Sequence, residues 1–395
     1  MINLEDKISS CVANVPPSAI RKFFDLASEM EGVISLSIGE PDFVTPWTIR
    51  EAGINSLVDG YTHYSPNAGY TKSKQAICSY IERRYGVKYD YDGECLITVG
   101  GSEGLDLAAR ALIDPGDEVI IIEPCFVAYK ATVLFAHGVP VVVETKREND
   151  FKLKAEDLEA AITDKTKYIV IGYPGNPTGA IMTMEELKPI RDVLMKHPEI
   201  IIISDELYCE LNYVEDKPSS LARFPELRDR VIMINGFSKS YAMTGFRIGY
   251  VLGPKALVSP MTKIHQYCIM SAPSMAQFAL VEAATNCDEQ VREMRDEYNH
   301  RRNVIIKGLK DAGLDCFTPA GAFYAFPSIE GFGINSEEFC ERFLMSKKVA
   351  IVPGNAFGKC GEGHVRISYA ASMDNIKTAM KRLAEFTDEL RKEMQ

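Results

Sequence analysis

Seven short runs of β-branched and aliphatic residues punctuate the first two thirds of the chain, near residues 96–99, 118–122, 140–143, 168–172, 200–204, 231–234 and 248–252. Each is followed by a polar or glycine turn and then a helix-like stretch, the alternation of an α/β doubly wound domain. Several runs are apolar at consecutive positions, as in Ile200-Ile201-Ile202-Ile203. Strands of that kind are buried on both faces of a largely parallel sheet, so helices are expected on both sides.

Beyond Pro260 the pattern lengthens into charged amphipathic stretches over 288–310 and 375–394, with strand-like segments at 322–327 and 365–369 between them. This predicts a second, smaller α+β domain. An early helix over 19–30 places Ile20, Phe23, Phe24, Ala27 and Met30 on one face and is expected to join it. The expected division is an N-terminal segment 1–38 joining the small domain, a large domain 39–285 and a small domain 286–395.

Composition narrows the class. With 395 residues, 46% hydrophobic and 25% charged, the chain is in the ordinary globular range and long enough for two cores. No apolar run reaches the length of a membrane span, and residues 1–10 carry Glu5, Asp6 and Lys7 without a secretion pattern, so a cytoplasmic protein with no membrane partner is expected. Ten cysteines occur without a C-x-x-C pair, and there is no H-E-x-x-H, so no metal is expected. A formal charge of −11 offers no broad field for nucleic acid. An anionic ligand must be met by a few local arginines or lysines.

Ligands of open α/β sheets bind beyond the carboxyl ends of the strands, and four of those ends are chemically unusual. Gly100-Gly101-Ser102-Glu103 opens a helix whose amides would hold an anion. Asn176-Pro177-Thr178-Gly179 follows the fourth run, and Asp205 follows four isoleucines, a costly place for a carboxylate without a partner. Ser238-Lys239-Ser240 sits among Gly236, Phe237 and Tyr241, so the amine of Lys239 is expected to be desolvated and nucleophilic, with Arg247 just beyond it. Residues 100–104 also match G-x-S-x-G, the nucleophile elbow of serine hydrolases. Ser102 would then be served by Asp205 and one of His265, His300 or His364.

In their order and spacing these motifs resemble class I and II aminotransferases of the fold-type-I pyridoxal-phosphate family. The likeness runs from Ser37-Ile38-Gly39-Glu40-Pro41-Asp42-Phe43 through Tyr64-Ser65-Pro66-Asn67-Ala68-Gly69, Asn176-Pro177-Thr178-Gly179, Asp205-Glu206-Leu207-Tyr208 and Ser238-Lys239-Ser240 to Gly321-Ala322-Phe323-Tyr324 and Val365-Arg366-Ile367-Ser368-Tyr369. It covers nearly the whole chain and is nearest to the prokaryotic aromatic, aspartate and diaminopimelate-type enzymes. The fold implied has a large domain with a seven-stranded, mostly parallel sheet covered by helices, plus a smaller α+β domain.

The resemblance implies pyridoxal 5′-phosphate held covalently by Lys239, which moves the proton between substrate and cofactor once displaced. Asp205 is implied to pair with the ring nitrogen, Asn176 and Tyr208 with the ring's 3′ oxygen, and Phe126 to stack on the ring. Ser238, Arg247 and the backbone at Gly101, Ser102 and Glu103 are implied to hold the phosphate. Tyr64 is implied to reach the phosphate of a neighbouring subunit, hence a homodimer. Arg366, Gly39 and Asn176 are implied to bind the substrate. The implied reaction is ping-pong transfer of the amino group of an L-amino acid, aromatic or broad in range, to a 2-oxo acid such as 2-oxoglutarate. Ser102 stands where part of the bacterial aspartate enzymes carries a lysine, which weakens strict aspartate specificity. A carbon–sulfur β-lyase of the same fold and a non-enzymatic cofactor sensor share the cofactor residues. Segment 20–39 is the implied moving part of domain closure.

Overall fold

The computed structural model describes residues 4–17 and 30–395. The helix expected over 19–30, except Met30, and half of the segment implied to move lie outside the described residues.

All seven apolar runs form strands of one sheet. They are β2 (Cys95–Thr98), β3 (Glu118–Glu123), β4 (Val139–Glu144), β5 (Thr166–Ile171), β6 (Ile201–Asp205), β7 (Val231–Gly236) and β8 (Gly249–Leu252), in the order β2-β8-β7-β6-β5-β3-β4. Only β8 runs antiparallel to its neighbours. The consecutive apolar residues divide between two cores. Val231 and Met233 of β7 face one and Ile232 and Ile234 the other; Ile202 and Ile203 of β6 part in the same way. Both faces are therefore dry, which is why these strands carry no polar alternation.

Helices α1 (Trp47–Val58), α2 (Thr71–Tyr85), α3 (Gly101–Leu112), α4 (Ala128–Phe135), α5 (Ala155–Ala161), α6 (Met184–Lys196), α7 (Lys255–Cys268) and α8 (Ser274–Asn286) cover the sheet. The change of texture after Pro260 therefore does not mark a change of core, since Pro260 lies inside α7. Ala276, Ala279, Leu280 and Ala283 of α8 belong to the same core as β7.

A separate core lies under α9 (Asp288–Asp311), α10 (Ser336–Lys347) and α11 (Met373–Glu393), where Tyr298, Ile305, Phe339, Phe343, Leu383 and Phe386 meet. Two small sheets accompany it. β1 (Ile34–Ser35) pairs in parallel with β10 (Val349–Ala350), and β11 (Val352–Pro353), β12 (Val365–Ser368) and β9 (Tyr324–Ala325) form an antiparallel trio. The strand expected over 322–327 shrinks to two residues: Ala322 is left-handed at φ 54, and Pro327 has no amide to donate to a ladder.

Candidate active site

The carboxyl ends of β2, β5, β6 and β7 open on one rim. Because β8 runs the other way, the residues before it, not after it, reach that rim, and Arg247 stands there. It does so in the left-handed region at φ 50. A cavity of about 530 Å³ occupies the rim. Of the residues to which the resemblance gives a role, all but Glu103 and Tyr64 line it.

Three glycines let backbone and side chains close in. Gly249 faces the start of α3, where a Cβ would stand 2.7 Å from the carbonyl carbon of Gly100. Gly100 itself, at φ +79, would put a Cβ 2.8 Å from Nη2 of Arg247. A Cβ on Gly39 would stand 2.7 Å from the hydroxyl of Tyr324. The outcome is a helix N-terminus, with Ser102 exposed on its first turn, facing a guanidinium. The paired donors suit a phosphate.

Lys239, just past β7, is half-buried and donates from Nζ to the carbonyl of Gly39 at 2.6 Å. Burial pushes its amine down from 10.5 to about 8. Glu40 and Asp205 oppose that shift, and Arg366 and Arg247 add to it. Asp205, at the end of β6, is raised above the usual carboxylate range by burial. Its Oδ2 accepts the Tyr129 hydroxyl at 2.6 Å and its Oδ1 the amide of Leu207 at 3.2 Å, both working against the rise. Tyr208 and Tyr324 share a hydroxyl contact of 2.7 Å, and burial raises both phenols.

Arg366, on β12, is 2% exposed. Nη2 donates to the carbonyl of Ser37 at 2.6 Å and Nη1 to Oδ1 of Asn176 at 2.9 Å, while Nε is buried without a partner among the described residues. The rings of Tyr324 and Phe357 lie 4.6 and 4.8 Å from its guanidinium carbon. Burial lowers its pKa. A buried cation without a carboxylate is costly, and a carboxylate ligand at this position would relieve that cost.

Two further tyrosines line the cavity: Tyr324, named from the sequence only as the end of the Gly321-Ala322-Phe323-Tyr324 motif and without a role, and Tyr129, which the sequence reasoning missed. Tyr129, in the first turn of α4, lies three residues after Phe126, which precedes the helix, with ring centroids 5.9 Å apart and edge to face. Glu103 was expected to lend its backbone, yet its side chain turns away from the cavity toward His265. Tyr64 is 80% exposed, beside Leu57, Tyr61 and Met275, and reaches nothing in the cavity of its own chain.

The hydrolase alternative needs a histidine on Ser102. Instead His265 pairs with Glu103, His364 stacks on Phe326 with centroids 5.1 Å apart, and His300 is exposed on α9. Asp205 is bound by a tyrosine, so no Ser-His-Asp relay assembles among the described residues.

The chain matches the family model "aminotransferase class I and II" over residues 31–383. A putative aminotransferase of Bacillus subtilis is 49% identical over 96% of this chain and 98% of its own length. An aspartate aminotransferase of Pyrococcus abyssi is 42% identical over 93% and 95%. The crystal structure of an aromatic aminotransferase from Pyrococcus horikoshii superposes with a TM-score of 0.89 at 39% identity, covering 94% of this chain and 99% of that one. Among the described residues no helix is long and apolar enough to cross a membrane. With the family model matching residues 31–383 and relatives of 42% and 49% identity covering nearly the whole chain, the chain belongs to the class I and II aminotransferases, enzymes that depend on pyridoxal phosphate.

Proposed function

We propose that the protein transfers the amino group of an L-amino acid, aromatic or broad in range, to a 2-oxo acid such as 2-oxoglutarate, in two half-reactions that share one cavity. The observation that carries this reading is the Lys239 amine, pushed down to about 8 and held between Asp205, Arg247 and Arg366. When bound, pyridoxal phosphate supplies an electron sink for the substrate's Cα–H electrons.

The residues divide the remaining work. Arg247, Ser238 and the amides of residues 101–103 hold the phosphate. Asp205, whose burial-driven rise the Tyr129 hydroxyl opposes, faces the ring nitrogen. Phe126 packs on the ring, and Asn176 and Tyr208 meet its 3′ oxygen. Lys239, once freed, would move the proton from the substrate's Cα to C4′ of the cofactor, and in the opposite direction in the second half-reaction. Arg366 binds the α-carboxylate with both nitrogens, aided by the backbone at Gly39 and by Asn176, whose amide already orients it.

The aromatic or broad range is supported by the cavity wall. Ile38, Leu105, Phe126, Leu207 and Tyr324 line it, and Ser102 adds no cation for a second substrate carboxylate. A homodimer is supported by exposed Trp47, Ile54, Leu57, Tyr61, Tyr64 and Met275, an apolar surface that continues to Arg247. The proposed division into 39–285 and a unit of 1–38 with 286–395 is supported by the second core and by the pairing of Ile34–Ser35 with Val349–Ala350.

The test is the absorbance of the purified full-length protein while amino acids are added one at a time. The bound-cofactor band is expected to bleach with aromatic donors and to return on adding 2-oxoglutarate. A band that never forms in protein supplied with cofactor overturns the reading. Acceptor-independent ammonia release would replace it with the β-lyase.

A further inference from the structure

Glu103 places a carboxylate in the first turn of α3, the helix whose amides are proposed to receive a phosphate dianion. Like charges at that separation repel, and the low dielectric of a partly buried site strengthens the repulsion. The side chain is held away from the cavity by two contacts. Oε2 accepts the amide of Val99, the residue before the Gly100-Gly101 turn, and Oε1 meets Nδ1 of His265 at 2.7 Å. A carboxylate has no proton to give, so Nδ1 donates.

His265 is wholly buried on α7, which packs along α3. Among the described residues its Nε2 has no hydrogen-bond partner, so Glu103 is the one side chain there that its ring nitrogens meet. Burying an imidazole with one nitrogen unpaired costs free energy, and a leucine there would avoid that cost.

We propose that Glu103 and His265 form a strut that positions the phosphate-binding turn. Glu103 ties the end of β2 to the start of α3 through the Val99 amide, and His265 holds the carboxylate outward and disperses its charge. Both are positioning residues, and neither lines the cavity. The inference rests on the proposed phosphate site. It goes beyond that reading in giving the two side chains a purpose.

The test compares pyridoxal phosphate with pyridoxal, the same ring without the phosphate, as ligands of the full-length chain freed of cofactor by dialysis. His265→Leu leaves the carboxylate unpaired and is expected to weaken pyridoxal phosphate about tenfold while leaving pyridoxal unchanged. The double variant H265L/E103Q, with the charge removed, is expected to recover most of the loss. Equal weakening of both ligands, or no recovery, overturns the strut and leaves the phosphate site standing. A wild-type chain that binds the two ligands equally sinks both. Should His265→Leu fail to fold, Glu103→Ala is expected to lose the phosphate preference and Glu103→Gln to keep it, and identical behaviour of those two variants overturns the strut.

Discussion

At the sheet end of the cavity, Asn176, Asp205 and Lys239 rise from the ends of three adjacent strands of one ladder, β5, β6 and β7. At the opposite end Arg366 stands on a four-residue strand of a three-stranded sheet. Its partners come from separate elements: the carbonyl of Ser37, the amide of Asn176 and the rings of Tyr324 and Phe357. The first end is set by hydrogen-bond register inside two dry cores. The second depends on how chain segments distant in sequence meet. Changes at the sheet end should therefore strike the chemistry, and changes at the arginine end should strike substrate capture.

The largest effect is expected for Lys239→Ala. Losing the amine proposed to hold the cofactor and to carry the proton should lower turnover by ~10³-fold or more, while cofactor is expected to stay bound without a covalent link through Asp205, Arg247 and the start of α3. Stopped-flow turnover with retained cofactor absorbance checks this, and near-normal turnover would remove Lys239 from its proposed role. The same amine sets a pH dependence. Its value of about 8 lies below the usual 10.5, so the nucleophilic free amine accumulates as pH rises through 8. At pH 7 about one amine in ten is free, against roughly one in three thousand for an ordinary lysine. Covalent capture of added pyridoxal phosphate should quicken up to about pH 8 and then level off. A rate still climbing at pH 10 would contradict the desolvated amine.

Next comes Arg366→Lys, aimed at the other end. A lysine keeps the charge but loses the planar fork and the stacking on Tyr324 and Phe357. Loss of about 1.5–3 kcal/mol of charge-assisted hydrogen bonding corresponds to roughly 10- to 100-fold in kcat/KM. The loss should appear mostly as a raised KM, with the cofactor spectrum unchanged. Cofactor loss in step with KM would erase the distinction between the two ends.

The same contrast governs what was legible in the sequence. The seven strands announced themselves because burial on both faces forces consecutive apolar residues, and the chemistry at their ends stood out against that background. The pairing of Ile34–Ser35 with Val349–Ala350 gave no such signal, since two residues have no period and their partner lies more than 300 positions away. Arg366 was found only through the motif around it; an arginine inside a strand-like run does not disclose which carbonyl or ring it meets. Tyr129 carries no signal of its own, and Tyr324 only its place in the Gly321-Ala322-Phe323-Tyr324 motif, because the hydroxyl partner that gives each its meaning comes from another element. Glu103 was legible as a helix start and not in its direction, which His265 decides from 162 residues away.

The smallest effect, and the finest test of the sheet end, is Tyr129→Phe. The substitution removes one hydroxyl, which donates to Asp205 at 2.6 Å. Burial raises the Asp205 pKa, and the Tyr129 hydrogen bond opposes that rise, so its loss moves the carboxyl further up. A carboxyl with a raised pKa is anionic above that value and is lost as pH falls through it, and in the variant the loss begins at a higher pH. The proposed partner of the ring nitrogen is then depleted first on the acid side. A hydrogen bond to a charged group corresponds to about tenfold. The ratio of variant to wild-type kcat is therefore expected to lie within about tenfold of unity at alkaline pH and to fall steadily toward acid. A ratio that stays constant across the pH range would show that Tyr129 only fills space beneath the cofactor, and that the sheet end holds its carboxylate without help from α4.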